Sequence, residues 1–298
     1  MKNPILGATL YIPVTRPNLA KTLNDPEIGL RSAVICLEDS VAERDLNEAR
    51  AMFIRFLLDH QRPERCRVYV RPRDLSMLGW MLTLHNIERI DGFVLPKVTT
   101  ENLGQWLSLL INTEHSFMPT IEGAEAFDLH ALKALRNQLT PFASRVDAVR
   151  IGGNDILNLL GTRRSRTRTA YDGPLGSVIR DFAGVFIPHG YNVSAPVFEH
   201  YSRQDLLQEE VERDLEHGLT TKTAIHPDQV RKIHALYQPQ AWEMDEARAI
   251  LDEQALAVFG SKGSMCEPAT HKAWAASIIE RAQAFGKQDA ETEERQVA

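Results

Sequence analysis

The chain has 298 residues, of which 43 % are hydrophobic and 25 % charged, with a formal net charge of −6. That is enough chain to bury a large core or to build one α/β barrel. The acidic balance argues against nucleic acid as a partner, and no apolar run approaches the ~18 residues of a membrane span. The N-terminus lacks the apolar stretch of a signal peptide. The three cysteines, Cys36, Cys66 and Cys266, are far apart and form no Cys-x-x-Cys pair. Reduced thiols in a cytoplasmic protein are therefore expected.

In chain order, Ala8 to Pro13 reads as a first strand, with the cations Arg16 and Lys21 just beyond it. Ala33 to Leu37 is an unbroken apolar run that stops on Glu38 and Asp39, the pattern of a strand buried on both faces with carboxylates at its end. Residues 42–60 carry helical spacing. Strands follow at 67–71, ending on Arg71, and at 92–95, closed by Pro96 and Lys97. Another strand at 117–121 ends on Glu122. The strand at 148–151 runs into Gly152, Gly153, Asn154 and Asp155. Further strands are expected at 192–195 and 223–225, with helices at 77–88, 101–112, 126–139, 175–189 and 203–217. Strand and helix alternate about eight times, which predicts a (β/α)8 TIM barrel over 1–238. Helices at 243–257 and 268–285 form a C-terminal appendage over 239–286, and the charged tail from 287 to 298 is expected to be disordered.

In α/β folds, ligands sit beyond the carboxyl ends of the strands. Glu122 and Asp155 end consecutive strands, which lie ~4.8 Å apart. Two carboxylates so placed can hold a hard cation such as Mg²⁺, with Mn²⁺ as the alternative, and no His or Cys accompanies them as zinc would require. Each acid could instead cap the helix that follows. Arg71 is placed to stabilise an enolate or carboxylate oxygen, or to pair with Glu38 or Asp39, which would then orient it. Lys97 as a Schiff-base lysine is set aside in favour of the metal pair, and His226 reads as structural. Arg163, Arg164, Arg166 and Arg168 crowd one loop, suited to an anionic ligand or a subunit contact, or simply exposed.

Several short stretches occur together in order. They are Tyr-Ile-Pro-Val-Thr-Arg-Pro at 11–17, Leu-Glu-Asp-Ser-Val at 37–41, Val-Arg-Pro at 70–72 and Leu-Pro-Lys-Val at 95–98. Ile-Glu at 121–122, Gly-Gly-Asn-Asp at 152–155 and Ile-His-Pro-Asp-Gln at 225–229 complete the set. The set resembles a divergent branch of the citrate lyase beta-subunit-like (HpcH/HpaI aldolase and citrate lyase) family of TIM-barrel carbon–carbon bond lyases. That resemblance implies Mg²⁺ on Glu122 and Asp155, and Arg71 as the enolate-stabilising arginine. It also implies a CoA or carrier phosphate near Arg16 and Lys21, Gly153 in the substrate-binding loop, and a homo-oligomer, trimer or hexamer. Many members carry Gly-x-Met-Ile-Asp-x-Pro in the appendage, whose aspartate enters a neighbour's site. Here Gly-Ser-Met-Cys-Glu-Pro offers Glu267 in its place, and Thr99 stands where the family has a glutamate.

The expected function is Mg²⁺-dependent cleavage of a β-hydroxy acid or its CoA thioester through an enolate. Arg71, Glu38, Asp39 and Glu267 are the catalytic candidates. Cleavage of a free or phosphorylated acid in a biosynthetic pathway, or a non-catalytic partner-binding subunit, are the alternatives.

Overall fold

The structure, a computed structural model, describes residues 4–59, 61–63 and 65–288. Most of the tail expected to be disordered, from residue 289, lies outside the described residues. The chain divides into two compact units, split between Lys232 and Ile233.

The first unit is a closed barrel of eight parallel strands in sequence order. The strands are β1 (Gly7–Pro13), β2 (Ser32–Cys36), β3 (Arg67–Arg71), β4 (Gly92–Leu95), β5 (Ser116–Ile121), β6 (Val149–Ile151), β7 (Val193–Ala195) and β8 (Thr221–Ala224). β8 pairs back onto β1. The connecting helices are α1 (Leu19–Leu23), α2 (Leu46–Asp59), α3 (Leu75–Met81), α4 (Leu103–Leu110), α5 (Leu129–Leu139), α6 (Gly153–Leu159), α7 (Pro174–Phe186), α8 (Gln204–Glu216) and α9 (Pro227–Leu236). Burial on both faces explains the unbroken apolar runs of β2 and β4, every residue of which is buried.

Side chains alternate between the lumen and the helix layer. Leu6, Val34, Tyr69, Val94, Met118 and Ala148 meet in one cluster that fills the middle of the barrel. Below it, Asp147 accepts hydrogen bonds from Tyr69 Oη and Ser116 Oγ, each at 2.5 Å, and from Arg67 Nη1 at 3.0 Å. The polar site at the N-terminal end is thus satisfied by its own neighbours, as a stability element should be.

In the arginine loop, Arg163, Arg166 and Arg168 are exposed and Arg164 is not. Arg164 is buried and ion-paired with Glu210 of α8, its guanidinium 5.3 Å from the Phe198 ring. Glu210 also takes the Ala170 N–H at 2.8 Å and Lys222 Nζ at 2.8 Å, and Lys222 pairs with Asp214 at 2.8 Å. Tyr171 Oη donates to Asp214 at 2.8 Å. Lys222 lies in the middle of β8, on its helix-facing side. That charge displaced the expected last strand, 223–225, from the observed Thr221–Ala224.

In the second unit, α10 (Ala241–Leu251) packs against α11 (Pro268–Phe285) through Met244, Ala247, Ile250, Ala275 and Ile278. Between them lies an antiparallel hairpin, β9 (Phe259–Ser261) with β10 (Ser264–Cys266), where the sequence suggested only a connecting loop. Lys262 and Gly263 form its turn, with φ of 44° and 83°, both in the left-handed region that two-residue hairpin turns require.

Candidate active site

A cavity of about 450 Å³ opens at the carboxyl ends of the barrel strands. That size suits a small acid. Glu122, one residue past β5, and Asp155, in the first turn of α6, both line it. Asp155 therefore projects from a helix rather than from a strand end. The turn between β6 and α6 is glycine because the Glu122 side chain crosses it. A Cβ on Gly152 would sit 2.2 Å from Glu122 Oε2 and 2.3 Å from its Cβ. Gly153, also lining the cavity, is held to glycine by Pro196, whose Cβ would be 2.7 Å away.

Arg71 ends β3 and lines the same cavity. Cys36 is its register partner on β2, and the Cys36 sulfur accepts from Arg71 Nε at 3.3 Å and Nη2 at 3.2 Å. Arg71 Nη1 lies 2.9 Å from Glu38 Oε2, while Asp39 is farther, at 3.9 Å from Nη2. The Arg71 guanidinium also stands 5.1 Å from the Tyr11 ring. Held on three sides, it is pre-oriented.

Lys97 is part of this arrangement, although the sequence suggested no role beyond a Schiff base. Its φ of 50° is unusual for a lysine and turns both ends of the residue to use. The backbone N–H donates to Glu122 Oε1 at 2.7 Å, and Nζ lies 3.0 Å from Glu38 Oε1 and 3.5 Å from Asp39 Oδ1. Glu38 is buried and bridges the two cations through ion-pair contacts rather than aligned hydrogen bonds. Burial raises its carboxyl above the usual range, against the pull of Arg71.

Glu122 is pushed up to about 8, first by burial and then by the Asp155 carboxylate. In and around the cavity, five carboxyl groups (Glu38, Asp39, Glu122, Asp155 and Glu199) stand with three cations, Arg71, Lys97 and Arg150. A divalent cation between Glu122 and Asp155 would offset that excess. The donors are oxygen only, and among the described residues no group of three or more His, Cys, Asp or Glu is placed to hold a metal ion, so an ion here would rest on two carboxylates with water or substrate oxygens. This fits Mg²⁺, which keeps water ligands and needs one or two carboxylates, and does not fit zinc.

Arg16 and Lys21 are exposed, in the turn after β1 and in α1, and neither lines the cavity. Glu267 belongs to the second unit. It precedes α11, and its carboxylate accepts from Thr270 Oγ1 at 3.1 Å. Sequence reasoning passed over Arg150, Thr120 and Cys36, all of which line the cavity. Strand parity could have found Arg150 and Thr120, each two residues before a member of the site.

A family model described as C–C bond lyase of the TIM-barrel fold matches residues 1–287. A sequence search of curated proteins finds no match. Among solved structures, a CitE protein from Mycobacterium tuberculosis in complex with magnesium, acetoacetate and coenzyme A is 20 % identical. It matches with a TM-score of 0.70, over 93 % of this chain and 98 % of that one. A citrate lyase from Burkholderia xenovorans LB400 is 16 % identical, with a TM-score of 0.69 over 97 % and 94 % of the two chains. The citrate lyase beta subunit of M. tuberculosis complexed with oxaloacetate and magnesium is 21 % identical, with a TM-score of 0.57 over 79 % and 99 %. At these identities the likeness is one of fold.

Proposed function

The chain belongs to the C–C bond lyases of the TIM-barrel fold, and from that premise we propose that it cleaves a β-hydroxy acid or its thioester through an enolate at the barrel mouth. The observation that carries this reading is the convergence of Glu122, Asp155 and the tethered Arg71 on one cavity.

Glu122 and Asp155 would hold Mg²⁺. The bound ion would supply Lewis acidity toward the carboxylate and carbonyl oxygens of a 2-oxo-acid fragment. Lys97 fixes the Glu122 carboxylate by its N–H. Arg71 meets the oxygen on which negative charge develops as the carbon–carbon bond breaks, and such charge stabilisation is the largest contribution expected in a site of this kind. Glu38 keeps Arg71 and Lys97 apart and aimed. In the condensation direction a base must remove a proton from the attacking carbon. Glu267 supplied by a neighbouring subunit of a homo-oligomer is the candidate, on the strength of its place in the sequence motif. Arg16 and Lys21 are the exposed cations available to the phosphates of a thioester handle.

Isothermal titration of Mg²⁺, with and without oxaloacetate, pyruvate and acetyl-CoA, tests the proposal. Metal binding that tightens with a 2-oxo acid and is lost in Asp155→Ala is expected. Unchanged binding in that variant would remove the assignment. An added effect of acetyl-CoA would select the thioester over the free acid.

A further inference from the structure

Arg150 is the middle residue of β6, 1 % exposed, and lines the cavity. The other buried cations each face a carboxylate: Arg164 and Lys222 face Glu210, Lys222 also faces Asp214, and Arg281 stands 3.9 Å from Glu243. No carboxylate pairs with Arg150 among the described residues. Its guanidinium donates to Thr223 Oγ1 at 2.5 Å and to the Met118 sulfur at 3.5 Å, and it stands 5.2 Å from the Tyr11 ring. Arg71 addresses the same ring from 5.1 Å. Two guanidiniums thus share one aromatic ring at one cavity, an arrangement that is costly unless an anion comes between them and water.

The neighbours of Arg150 point the same way. Thr120 is its register partner on β5, is buried, and also lines the cavity. Among the described residues the Thr120 hydroxyl has no hydrogen-bond partner. Ser194, the register partner on β7, is buried with an unpartnered hydroxyl too. Buried hydroxyls are ordinarily satisfied. A carboxylate can accept from a guanidinium and from a hydroxyl together, and a charge-assisted pair of this kind is stronger than neutral hydrogen bonds.

We propose that Arg150 and Thr120 on the cavity floor bind a second carboxylate of the substrate, so that the 2-oxo-acid fragment released is a dicarboxylate. This rests on the lyase reading of the same cavity. One carboxylate lies at the Glu122–Asp155 end and the other at Arg150, deeper by one inward-facing position of β6, roughly 6.6 Å along the strand. The proposal makes Arg150 a specificity residue of the barrel floor.

The test is calorimetric binding of oxaloacetate and of 2-oxobutyrate in the presence of Mg²⁺. The two acids share a four-carbon skeleton, and 2-oxobutyrate has a methyl group in place of the second carboxylate. The wild-type chain is expected to bind oxaloacetate at least about tenfold more tightly, since a polar site rejects the analogue that leaves it unpaired. In Arg150→Met the preference is expected to vanish, with 2-oxobutyrate within about threefold of its wild-type affinity. The melting temperature of Arg150→Met should equal or exceed that of the wild type, because the variant removes a buried charge that no protein carboxylate offsets. A variant that keeps the preference, or a wild type that has none, overturns the proposal. So does a fall in melting temperature with the preference intact, which would make Arg150 a structural residue. Thr120→Val provides a second, milder variant. A severalfold loss for oxaloacetate alone is expected, and an equal loss for both acids would count against the site. Asp155→Asn separates this proposal from the reading beneath it. Loss of the Mg²⁺ effect with the oxaloacetate preference retained supports both. A wild type indifferent to Mg²⁺ that still prefers oxaloacetate removes the metal site and leaves the Arg150 site standing.

Discussion

Two groups of charges are built into this barrel, and they are solved in opposite ways. Behind β8, Arg164, Lys222, Glu210 and Asp214 balance one another, and Tyr171 and the Ala170 N–H take up further carboxylate valences. At the mouth, Glu38, Asp39, Glu122, Asp155 and Glu199 outnumber Arg71 and Lys97, while on the floor no acid among the described residues pairs with Arg150. The first group is closed and neutral and serves the fold. The second leaves negative charge at one end of a cavity and positive charge at the other, which is what a site for a cation and an anion requires.

Glu210 and Glu122 express the contrast in their acidity. Burial acts on both to raise the carboxyl. For Glu210, Lys222 and Arg164 more than offset it, and its carboxyl ends below the usual range. For Glu122, Asp155 adds to burial and the group rises to about 8. Their contributions to stability therefore run in opposite directions with pH. Stability from Glu210 is present above the ordinary carboxyl range and is lost on acidification. Glu122 favours the fold while protonated, and that contribution is lost as pH rises from its unfolded value near 4.5 through about 8.

The comparison can be broken most severely at Lys222. Lys222→Met leaves Glu210 and Asp214 short of a cation in a buried site, and a loss of about 3–5 kcal/mol is expected in urea denaturation. A loss below about 1 kcal/mol would show that the network is not closed as described. Next is Glu122→Gln in chelator-treated protein. There it should raise stability by a few kcal/mol at pH 8 and above, whereas in protein supplied with Mg²⁺ the same variant should abolish turnover. The gain should disappear near pH 4.5, and a pH-independent difference between the two proteins would contradict the assigned acidity. Gly152→Ala sharpens the comparison without touching a charge. The added Cβ displaces Glu122, and turnover should fall about 100-fold, as misplacement by an ångström commonly causes. Activity within threefold of the wild type would mean that the Glu122 position is not critical. The smallest effect is expected at Arg163, whose side chain is 80 % exposed beside Glu199. Arg163→Ala should leave the denaturation midpoint and turnover unchanged, because exposed ion pairs contribute little.

Much of the barrel was legible in the chain. The strands at 67–71 and 92–95 and the helix at 268–285 fall where the sequence placed them and the other strands lie within a residue or two, whereas the helices expected at 77–88 and 243–257 end already at Met81 and Leu251. Apolar runs bounded by polar stops carry that information locally. The short helices α1 and α6 and the helix α9 went unread. α6 is seven residues behind two glycines, and its position depends on Glu122 crossing the turn. The hairpin at 259–266 was hidden because Lys262 is not a residue that announces a left-handed turn.

The sequence by itself determined the alternation that makes an eight-fold barrel, Glu122 and Arg71 at or next to strand ends, and the family likeness of its short motifs. These follow from neighbours in the chain. Only the tertiary structure decided which charges meet. Lys222 lies just before the strand that the sequence suggests at 223–225, and it is buried with Glu210 and Asp214, which reach it from the neighbouring helix. Arg164 reads as part of a basic loop and is neutralised by the same glutamate. Arg150 reads as one charge inside a strand, and only closure of the barrel turns it toward Tyr11 and Thr223, with no acid among the described residues paired with it. Whether a buried charge is a structural pair or a waiting ligand site depends on what stands across from it, and that partner is set by strand register and barrel closure rather than by sequence distance.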